Sequence, residues 1–568
     1  MRRENSKFIS SLYFRGLFPN VIAVLGGTVN VFFDGIFIGR KLGDAGLESV
    51  NQCLPVYLLL CTVGSLYASG ASFLSAHAIG ENDVEEGKRI FQGVLLDALL
   101  VGGGFCLLGF VFAGPLAKLL GTAVSIPYVY LYLRITMIGG IAKIMLYIPY
   151  FYLRLEGRDK QCMTAMLTMT VLNIVLDYIL LFPLDFGIGG AAWASVTATV
   201  VAAGMSFFFL LSGNGTFRLG FQKLHMSDRA AVFRFGSPMA VNNMLSSARI
   251  FVVNLILGSM GIGGLVSVFA IANNLNEFSI CIQNGVPQTG AAMAGIFYGE
   301  KDSKSVRAVV NIELLSGMAL SFLSGAVLFL FPAQIGRLFG SSADCGFAVR
   351  CLAVSLVFST MNSVMSYSYN AVGQLAAANM VTVSRGFAAT AVFALLFRGL
   401  GERIWLFYPC AEISTFLLLT ACSFLFAKKK CLTPFYLLDD TLERSGNATS
   451  FAVACNDVDI CEASEKIRYF CGDNHFTDKE TMTISLALEE LLTIITHESC
   501  PPDGFMDVRV LAWDEKRIIR IRSGGRRYNP VEAQDGSLMY IGVKMICALA
   551  ERTEYLSALG VNTLIIYI

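Results

Sequence analysis

Long apolar stretches separated by short polar breaks fill the first 430 residues of the chain. A helix that crosses the hydrocarbon core of a bilayer needs about 20 predominantly apolar residues. The pattern therefore predicts a polytopic α-helical membrane protein. Its twelve predicted spans lie near residues 16–39, 50–79, 91–113, 126–153, 161–183, 188–212, 236–259, 264–297, 309–331, 347–372, 378–398 and 404–427.

The first six spans and the last six are copies of one another. The acidic segment at 80–83 recurs at 299–302, and Phe14-Arg15 recurs as Phe233-Arg234. Six helices per copy bring both copies into the membrane from the same side, so the repeat axis lies along the membrane normal. We predict an N-lobe at residues 1–215 and a C-lobe at 216–430, with a cavity between them.

The composition changes after the basic run Lys428-Lys429-Lys430. Residues 431–448 are predicted to be a linker, and from 449 to 568 soluble-type strands alternate with amphipathic helices. The predicted strands lie near 450–455, 506–512 and 517–523, followed by two closing strands, and the predicted helices lie at 459–471, 479–498 and 540–551. This tail is expected to be a compact soluble α+β domain.

Lys and Arg collect on one predicted face of the bundle, which also holds both termini. They occur in the N-terminal segment, in the second and fourth connections, between the lobes and after the twelfth span. Because loops rich in Lys and Arg stay on the cytoplasmic side, we expect a multi-pass protein of the cytoplasmic (inner) membrane. Both termini and the tail should then lie in the cytoplasm.

The overall composition indicates a bilayer environment and supports no further class of partner. Hydrophobic residues make up 55% of the 568 residues, and the formal net charge is +1, which gives no reason to expect nucleic acid as a partner. The 15 Cys show no CxxC spacing and there are four His, so neither a metal site nor a disulfide framework is supported. We expect these cysteines to be reduced.

Three carboxylates interrupt the apolar spans of the N-lobe, namely Asp34, Asp97 and Asp177. Each costs about 2.5–3.5 kcal/mol at the centre of a membrane helix, so each invites a functional explanation. Asn173 precedes Asp177 by four residues and lies on the same helical face. Were Asp34 to pack against that face, the two carboxylates would share a dry pocket and load a proton. The alternative is that these groups only hydrogen-bond neighbouring helices, which is the favoured interpretation for Asp97.

The C-lobe carries different polar groups. Glu277 follows Asn273 and Asn274 in the eighth span, and Glu412 lies in the twelfth. We take these four residues as candidates for a substrate cavity, with an interfacial role for the carboxylates as the alternative. The position that corresponds to Asp34 in the repeat is Val253, so the two lobes differ in chemistry.

The first 430 residues resemble the multidrug and toxic compound extrusion (MATE) family. The resemblance rests on the order and spacing of the segments at 34–39 (DGIFIG), 70–81 (GASFLSAHAIGE), 154–157 (RLEG), 173–177 (NIVLD) and 187–195 (GIGGAAWAS). It implies a V-shaped pair of helix bundles and an ion-coupling site on Asp34, Asn173, Asp177 and Ser195. The family's alternative acidic residue in the seventh helix has no counterpart here.

The tail resembles the Bergerat fold of GHKL-type ATP-binding domains, in the branch of the anti-sigma-factor kinases. The matching segments are 486–497 (LALEELLTIITH), 528–530 (YNP) and 541–555 (IGVKMICALAERTEY). By this resemblance Glu489 is kept, whereas Thr493 replaces the magnesium ligand and Ser523 the adenine ligand. The implied, degenerate nucleotide pocket consists of Glu489, Thr493, His497, Ser523, Gly525 and Gly542. We expect a regulatory module, with weak binding of ATP and magnesium as the alternative.

The leading hypothesis is an antiporter rather than an enzyme, which exports organic cations or amphipathic drugs by alternating access in exchange for H⁺, with Na⁺ as the alternative coupling ion. No cofactor or metal is expected, and the tail could bind a cytoplasmic regulatory protein. Two alternatives remain open. One is a membrane-anchored sensor that signals through its tail, and the other is a lipid-type flippase.

Overall fold

The computed structural model describes residues 5–121, 125–212, 215–220, 222–260, 265–334, 345–445, 447–474, 476–501, 504–513, 516–532 and 541–568. All twelve predicted spans lie on helices. These are α1 (Lys7–Gly43), α2 (Glu48–Gly80), α3 (Val84–Val111), α4 (Ile126–Leu155), α5 (Asp159–Leu181), α6 (Gly187–Leu211), α7 (Met226–Ser259), α8 (Leu265–Gly299), α9 (Ser303–Leu330), α10 (Gly346–Ala371), α11 (375–397) and α12 (Phe407–Lys430).

Ten stretches of the described residues are long and apolar enough to cross a bilayer. The last of them, Leu375–Lys430, contains both α11 and α12, and α8 adds a further helix. Two breaks in the helical run have identifiable positions. Gly43, with φ of 64°, separates α1 from α2, and α11 contains a π-helical turn at Ser384–Ala388. Such turns often mark functional positions within a helix.

The two lobes touch at the face of the bundle where α2 and α8 end, which we call the terminal face. Gly80 and Gly299, equivalent residues of the repeat, end these two helices. A Cβ atom on Gly80 would collide with the carbonyl oxygen of Ile296, and one on Gly299 with that of His77. Because glycine has no Cβ, the two backbones approach closely here. The lobes are therefore closed against each other at the terminal face.

The tail is built on a five-stranded antiparallel sheet with the strand order β1-β2-β3-β5-β4. Its strands are β1 (Ala448–Ala454), β2 (Phe505–Trp513), β3 (Lys516–Gly524), β4 (Arg552–Ala558) and β5 (Val561–Tyr567). Three helices accompany the sheet, α13 (Asp457–Asp473), α14 (Asp478–Glu498) and α15 (Ile541–Leu549). The predicted strands and helices of the tail are all found among its described residues, with ends that differ from the predicted ones by up to two residues.

The two faces of this sheet have different chemistry, as the alternation of side chains along a strand allows. Val508 of β2 and Ile519 and Ile521 of β3 pack with Leu488 and Leu491 of α14 in a buried apolar core. The opposite face of β2 and β3 carries Asp507, Arg509, Arg520 and Arg522, all of them buried. The helices cover the first face, and the membrane bundle covers the second.

The segment predicted as a linker is packed rather than extended. Leu437 and Leu438 are each 1% exposed and belong to the same apolar cluster as the membrane helices. The hydroxyl of Tyr369 in α10 donates to the carbonyl oxygen of Phe435 at 2.8 Å. The tail is thus held close to the C-lobe from its first residues.

One expectation about the cysteines is wrong. Cys455 and Cys500 form a disulfide in the tail, with Cα atoms 6.8 Å apart. The other described cysteines are free, and most of those in the membrane helices are buried. The sequence could not predict this disulfide, because 45 residues separate the two cysteines and only the fold brings them together.

Candidate functional site

The structure brings the two predicted carboxyl groups of the N-lobe together. The carboxyl groups of Asp34 in α1 and Asp177 in α5 lie next to each other, within range of a shared hydrogen bond. Asp177 is completely buried, and its Oδ1 has no hydrogen-bond partner among the described residues. Since two ionised carboxylates have no hydrogen to share, the contact requires a proton on one of them. The pair is therefore arranged to hold a proton.

Asn173 connects this pair to its surroundings. The amide has one orientation that satisfies all its neighbours, in which Nδ2 donates to Asp34 Oδ1 at 2.7 Å and to Asn30 Oδ1 at 2.6 Å. In that orientation Oδ1 of Asn173 accepts from Ser195 Oγ at 3.2 Å. Asn173 is 1% exposed. The four residues proposed for ion coupling therefore form one cluster, in which Asn173 and Asp177 are buried and Asp34 and Ser195 half-buried, and Asn30 joins it as a fifth, half-buried member.

Lys143 of α4 is the functional candidate that sequence reasoning missed. Its ammonium nitrogen lies 5.1 Å from the ring centroid of Tyr57. It also interacts electrostatically with Asp34. The signal was available, because a lone lysine inside an apolar span carries the same insertion cost that singled out Asp34. The N-lobe cluster thus contains two carboxyl groups and one cation.

Asp97, the third carboxylate, has a structural partner. Arg229, at the start of α7, donates to it from Nε at 2.5 Å and from Nη2 at 2.8 Å. This bidentate contact joins the N-lobe to the C-lobe. The structural interpretation of Asp97 therefore agrees with the contacts seen.

In the C-lobe, Glu412 lies beside a cation of the protein itself. Arg385 Nε is 3.3 Å from Glu412 Oε1, and Asn362 Nδ2 donates to Glu412 Oε2 at 2.8 Å. Glu277 has a different neighbour, since its electrostatic partner is Arg249. Asn273 is half-buried and Asn274 exposed on α8. These four candidates are not brought into one cluster as the N-lobe residues are, and their role as a substrate cavity stays a prediction.

A different set of residues lines a cavity at the C-lobe. Its walls are mainly amides and hydroxyls from α7, α8, α10 and α11, with Phe73 contributed by the N-lobe. The polar lining residues are Asn242, Asn243, Asn284, Ser363, Ser366, Tyr367, Asn370, Thr382 and Arg385. Arg385, the partner of Glu412, is thus the link between the predicted residues and the cavity.

In the tail, Glu489 and Thr493 lie one turn apart on α14. Thr493 Oγ1 donates to the backbone oxygen of Glu489 at 2.8 Å, and Cys461 Sγ lies 3.6 Å from Glu489 Oε1. His497 is exposed near the end of the same helix. The Thr493 hydroxyl is therefore engaged with its own helix.

The remaining predicted pocket residues lie on other elements. Ser523 is 3% exposed within β3, where it is paired with Met506 and Asn562. Gly525 follows with φ of 109°, close to the carbonyl of Ser499. Gly542 is the second residue of α15.

Comparison with known proteins gives consistent matches for the membrane part. A family model described as MatE matches residues 19–179 and 238–396, one match in each lobe. The Multidrug export protein MepA of Staphylococcus saprophyticus is 23% identical over 378 residues, which cover 65% of this chain and 80% of that protein. The MepA of Staphylococcus haemolyticus is 21% identical over 428 residues, covering 73% and 93%.

Solved structures share the fold. A crystal structure of MATE in complex with MaL6 superimposes with a TM-score of 0.70 at 22% identity, covering 76% of this chain and 97% of that one. An outward-facing multidrug resistance MATE family transporter of the MOP superfamily gives a TM-score of 0.69 at 22% identity, with coverages of 76% and 96%. At these identities the likeness establishes the architecture of the helix bundle.

Proposed function

The chain belongs to the MatE family of membrane transporters, and from that premise we propose that it exports organic cations or amphipathic drugs in exchange for protons. Multidrug export is the activity named for its staphylococcal relatives. The observation that carries the proposal is the pairing of the Asp34 carboxyl group, held by Asn173 at 2.7 Å, with the buried carboxyl group of Asp177. A buried carboxyl pair of this kind binds and releases protons as its surroundings change.

The net charge of the N-lobe cluster changes when its carboxyl groups are protonated, and this change links protonation to substrate release. With both carboxyl groups ionised, the cluster of Asp34, Asp177 and Lys143 has a net charge of about −1, and with both protonated it has about +1. A cationic substrate in the adjoining space is attracted in the first state and repelled in the second. Protons that enter from the outside thus drive the substrate off, and their loss to the cytoplasm prepares the N-lobe for the next molecule.

Lys143 supports protons over sodium as the coupling ion. Na⁺ would have to bind among oxygen ligands within reach of an ammonium group, and the two like charges repel each other strongly in a buried site. A proton avoids this cost because it neutralises a carboxyl group covalently. The arrangement of Asp34, Asn173 and Asp177 could bind either ion, and the lysine favours H⁺.

We propose that the terminal face is the cytoplasmic face. The start of α1, the connections rich in Lys and Arg and the tail all lie on this face, and loops rich in Lys and Arg stay on the cytoplasmic side. The closed contact of Gly80 with Gly299 then corresponds to a transporter whose cytoplasmic side is shut.

For the tail we propose a GHKL-related regulatory module that has lost its ATP site. Support comes from the sheet with accompanying helices, from the engagement of Thr493 with its own backbone and from the burial of Ser523 within the sheet. Titration of the full-length protein with a fluorescent ATP analogue, with and without Mg²⁺, tests this. Micromolar, magnesium-dependent binding would instead favour the sensor hypothesis.

Transport itself is tested in proteoliposomes with a fluorescent organic cation. We expect export to follow an imposed pH gradient and to ignore a sodium gradient of equal size. Export that follows only the sodium gradient would overturn proton coupling, and its absence under both gradients would overturn the proposed function.

A further inference from the structure

We infer that the tail is a clamp across the two lobes, which keeps the terminal face closed and which must release the N-lobe for the transport cycle to proceed. This inference rests on the proposed alternating-access function. The structural basis is a set of contacts that anchor the tail to both lobes on either side of the Gly80–Gly299 contact.

The anchor on the C-lobe is a buried cluster of charges. Arg509 Nη1 of β2 lies 3.0 Å from Asp302 Oδ1, and both side chains are fully buried. Arg509 Nη2 also donates to the backbone oxygen of Lys301 at 2.8 Å. Arg520 Nη1 lies 3.2 Å from Glu300 Oε2, and Arg522 forms a second ion pair with the same carboxylate.

The membrane helices supply negative charges that balance the arginines on this face of the sheet. On the sheet itself, Arg509, Arg520 and Arg522 face one carboxylate, Asp507, which lies 2.6 Å from Arg522 Nη1. Glu300 and Asp302, in the connection between α8 and α9, and Glu443 of the linker supply three more carboxylates, so that the positive charge of the three arginines is fully offset. Breaking one partner of a buried pair is costly, so this charge complementarity fixes where the sheet docks.

The linker strengthens the same anchor. Ser303 Oγ donates to the backbone oxygen of Asp439, Arg307 pairs with Asp440, and Tyr436 OH donates to Asn311 Oδ1 at 2.7 Å. All three membrane residues belong to α9. The tail is therefore tied to the C-lobe by ion pairs, by hydrogen bonds and by chain connectivity.

The anchor on the N-lobe is smaller and mostly uncharged. The backbone N–H of Leu559, in the turn between β4 and β5, donates to the oxygen of Leu155 at the end of α4, at 3.0 Å. Next to it, Gly157 has φ of 71°, and a Cβ atom there would collide with the backbone of Leu559. Asn82 Nδ2, after α2, donates to Tyr567 OH of β5 at 3.0 Å.

An apolar crevice joins all three parts of the molecule. Phe8 and Leu12 of α1 meet Ile296 and Phe297 of α8, and the tail closes the space with Leu556, Leu559 and Val561. Leu559 is 8% exposed and Val561 4%. Because both lobes contribute walls, separating them at this face opens the crevice to water, which costs the burial of its apolar surface.

The two anchors cannot both persist when the lobes separate. Asn82 lies two residues beyond Gly80, and Glu300 directly follows Gly299, so the anchors border the point where the lobes must part. The N-lobe anchor includes two hydrogen bonds, apolar contacts and the exposed cation–π contact of Lys7 with the Phe505 ring, 5.3 Å to its centroid, whereas the C-lobe anchor contains buried ion pairs. The tail therefore stays on the C-lobe, and its hold on the N-lobe is the contact that opens.

The test uses the full-length double variant Asn82→Ala/Leu559→Asn, which weakens the N-lobe anchor. Leu559 has φ of 56°, a conformation that asparagine accepts, so the turn is retained. Met482→Asn is the matched control, since Met482 is 64% exposed on α14. Spin-labelled non-canonical amino acids at Glu85 and Lys304 report the separation of the lobes, and a second pair at Lys304 and Tyr469 reports the tail on the C-lobe.

We expect the double variant to gain a population with a longer Glu85–Lys304 distance, to keep its Lys304–Tyr469 distance and to export about fivefold faster. The control should match the wild type. An unchanged Glu85–Lys304 distance with an unchanged export rate overturns the clamp, and a longer Lys304–Tyr469 distance overturns the C-lobe as the permanent anchor. A wild-type protein without export contradicts the proposed function alone, because the Glu85–Lys304 distance still tests the clamp.

Discussion

Asn173 donates a hydrogen bond to Asp34 across 2.7 Å and thereby joins α5 to α1 beside the buried carboxyl group of Asp177. Through this bond, a change in the ionisation of Asp34 alters the contact between two helices. A charge-assisted hydrogen bond to an ionised carboxylate is about twice as strong as one to a neutral group. Proton binding and the packing of the N-lobe are coupled in this way.

The carboxyl pair leads to the first prediction. Asp34→Asn and Asp177→Asn each remove a proton site, and we expect either change to lower pH-driven export in proteoliposomes by about 100-fold, in the range typical of lost proton-transfer groups. Asp185→Asn is the matched control, because Asp185 is a largely exposed carboxylate paired with Lys41. Full export by both variants, with the pH dependence intact, would place the coupling site elsewhere.

Lys143 gives the second prediction. Lys143→Met removes the ammonium that opposes metal cations beside Asp34, and we expect a sodium gradient to begin to drive export in this variant. Lys143→Arg keeps the charge and should remain insensitive to sodium. Fluorescent-cation transport under opposed H⁺ and Na⁺ gradients measures the change, and sodium-independent export by the methionine variant would contradict it.

The third prediction concerns the ion pair of Arg385 and Glu412, which are 17% and 13% exposed. Glu412→Leu leaves Arg385 without its carboxylate in a mostly buried site, and we expect a loss of about 3–5 kcal/mol in the free energy of unfolding. The double variant Arg385→Met/Glu412→Leu should recover most of that loss. Thermal unfolding in detergent provides the measurement, and equal destabilisation by the single and double changes would refute a coupled pair.

The fourth prediction concerns the start of α14. Thr477 and Glu480 form a capping box there, and the hydrogen bonds from Thr477 lower the pKa of Glu480. A lowered pKa stabilises the folded tail above the ordinary pKa of the carboxyl group, and that stability is lost as the pH falls through the lowered value.

Thr477→Ala should therefore weaken α14 by about 1 kcal/mol at neutral pH, and by less at a pH where Glu480 is protonated. Hydrogen exchange of the α14 amides in the full-length protein measures this. Thr483→Ala, within the same helix, is the control and should be neutral, since alanine favours helices. Equal effects of the two substitutions at neutral pH would show that the cap contributes nothing.

Some features could be predicted from the sequence because each is determined by the free-energy cost of placing one residue or one short segment in lipid. The spans follow from the length of apolar stretches, and Asp34 and Asp177 stand out because charge is expensive in lipid. The same reasoning applied to Lys143 would have found it. Asn30 escaped notice because a single amide in an apolar helix is a common packing element.

The interface between the tail and the bundle could not be predicted in the same way. Arg509, Arg520 and Arg522 alternate on their strands as solvent-facing residues also do. Their partners, Glu300 and Asp302, lie some 200 residues earlier, and only the folded chain brings them together. The packing of Leu437 and Leu438 against the bundle likewise depends on tertiary contacts.

The meeting of Gly80 with Gly299 has an evolutionary consequence. In a dimeric ancestor of six-helix subunits these two residues would be one glycine that meets itself across a twofold axis. Each is followed by the same acidic pattern, Glu81 with Asp83 and Glu300 with Asp302, and both aspartates cap the next helix. The tail pairs its arginines with Glu300 and Asp302 of the second copy, so two segments that are alike in sequence differ in what they contact.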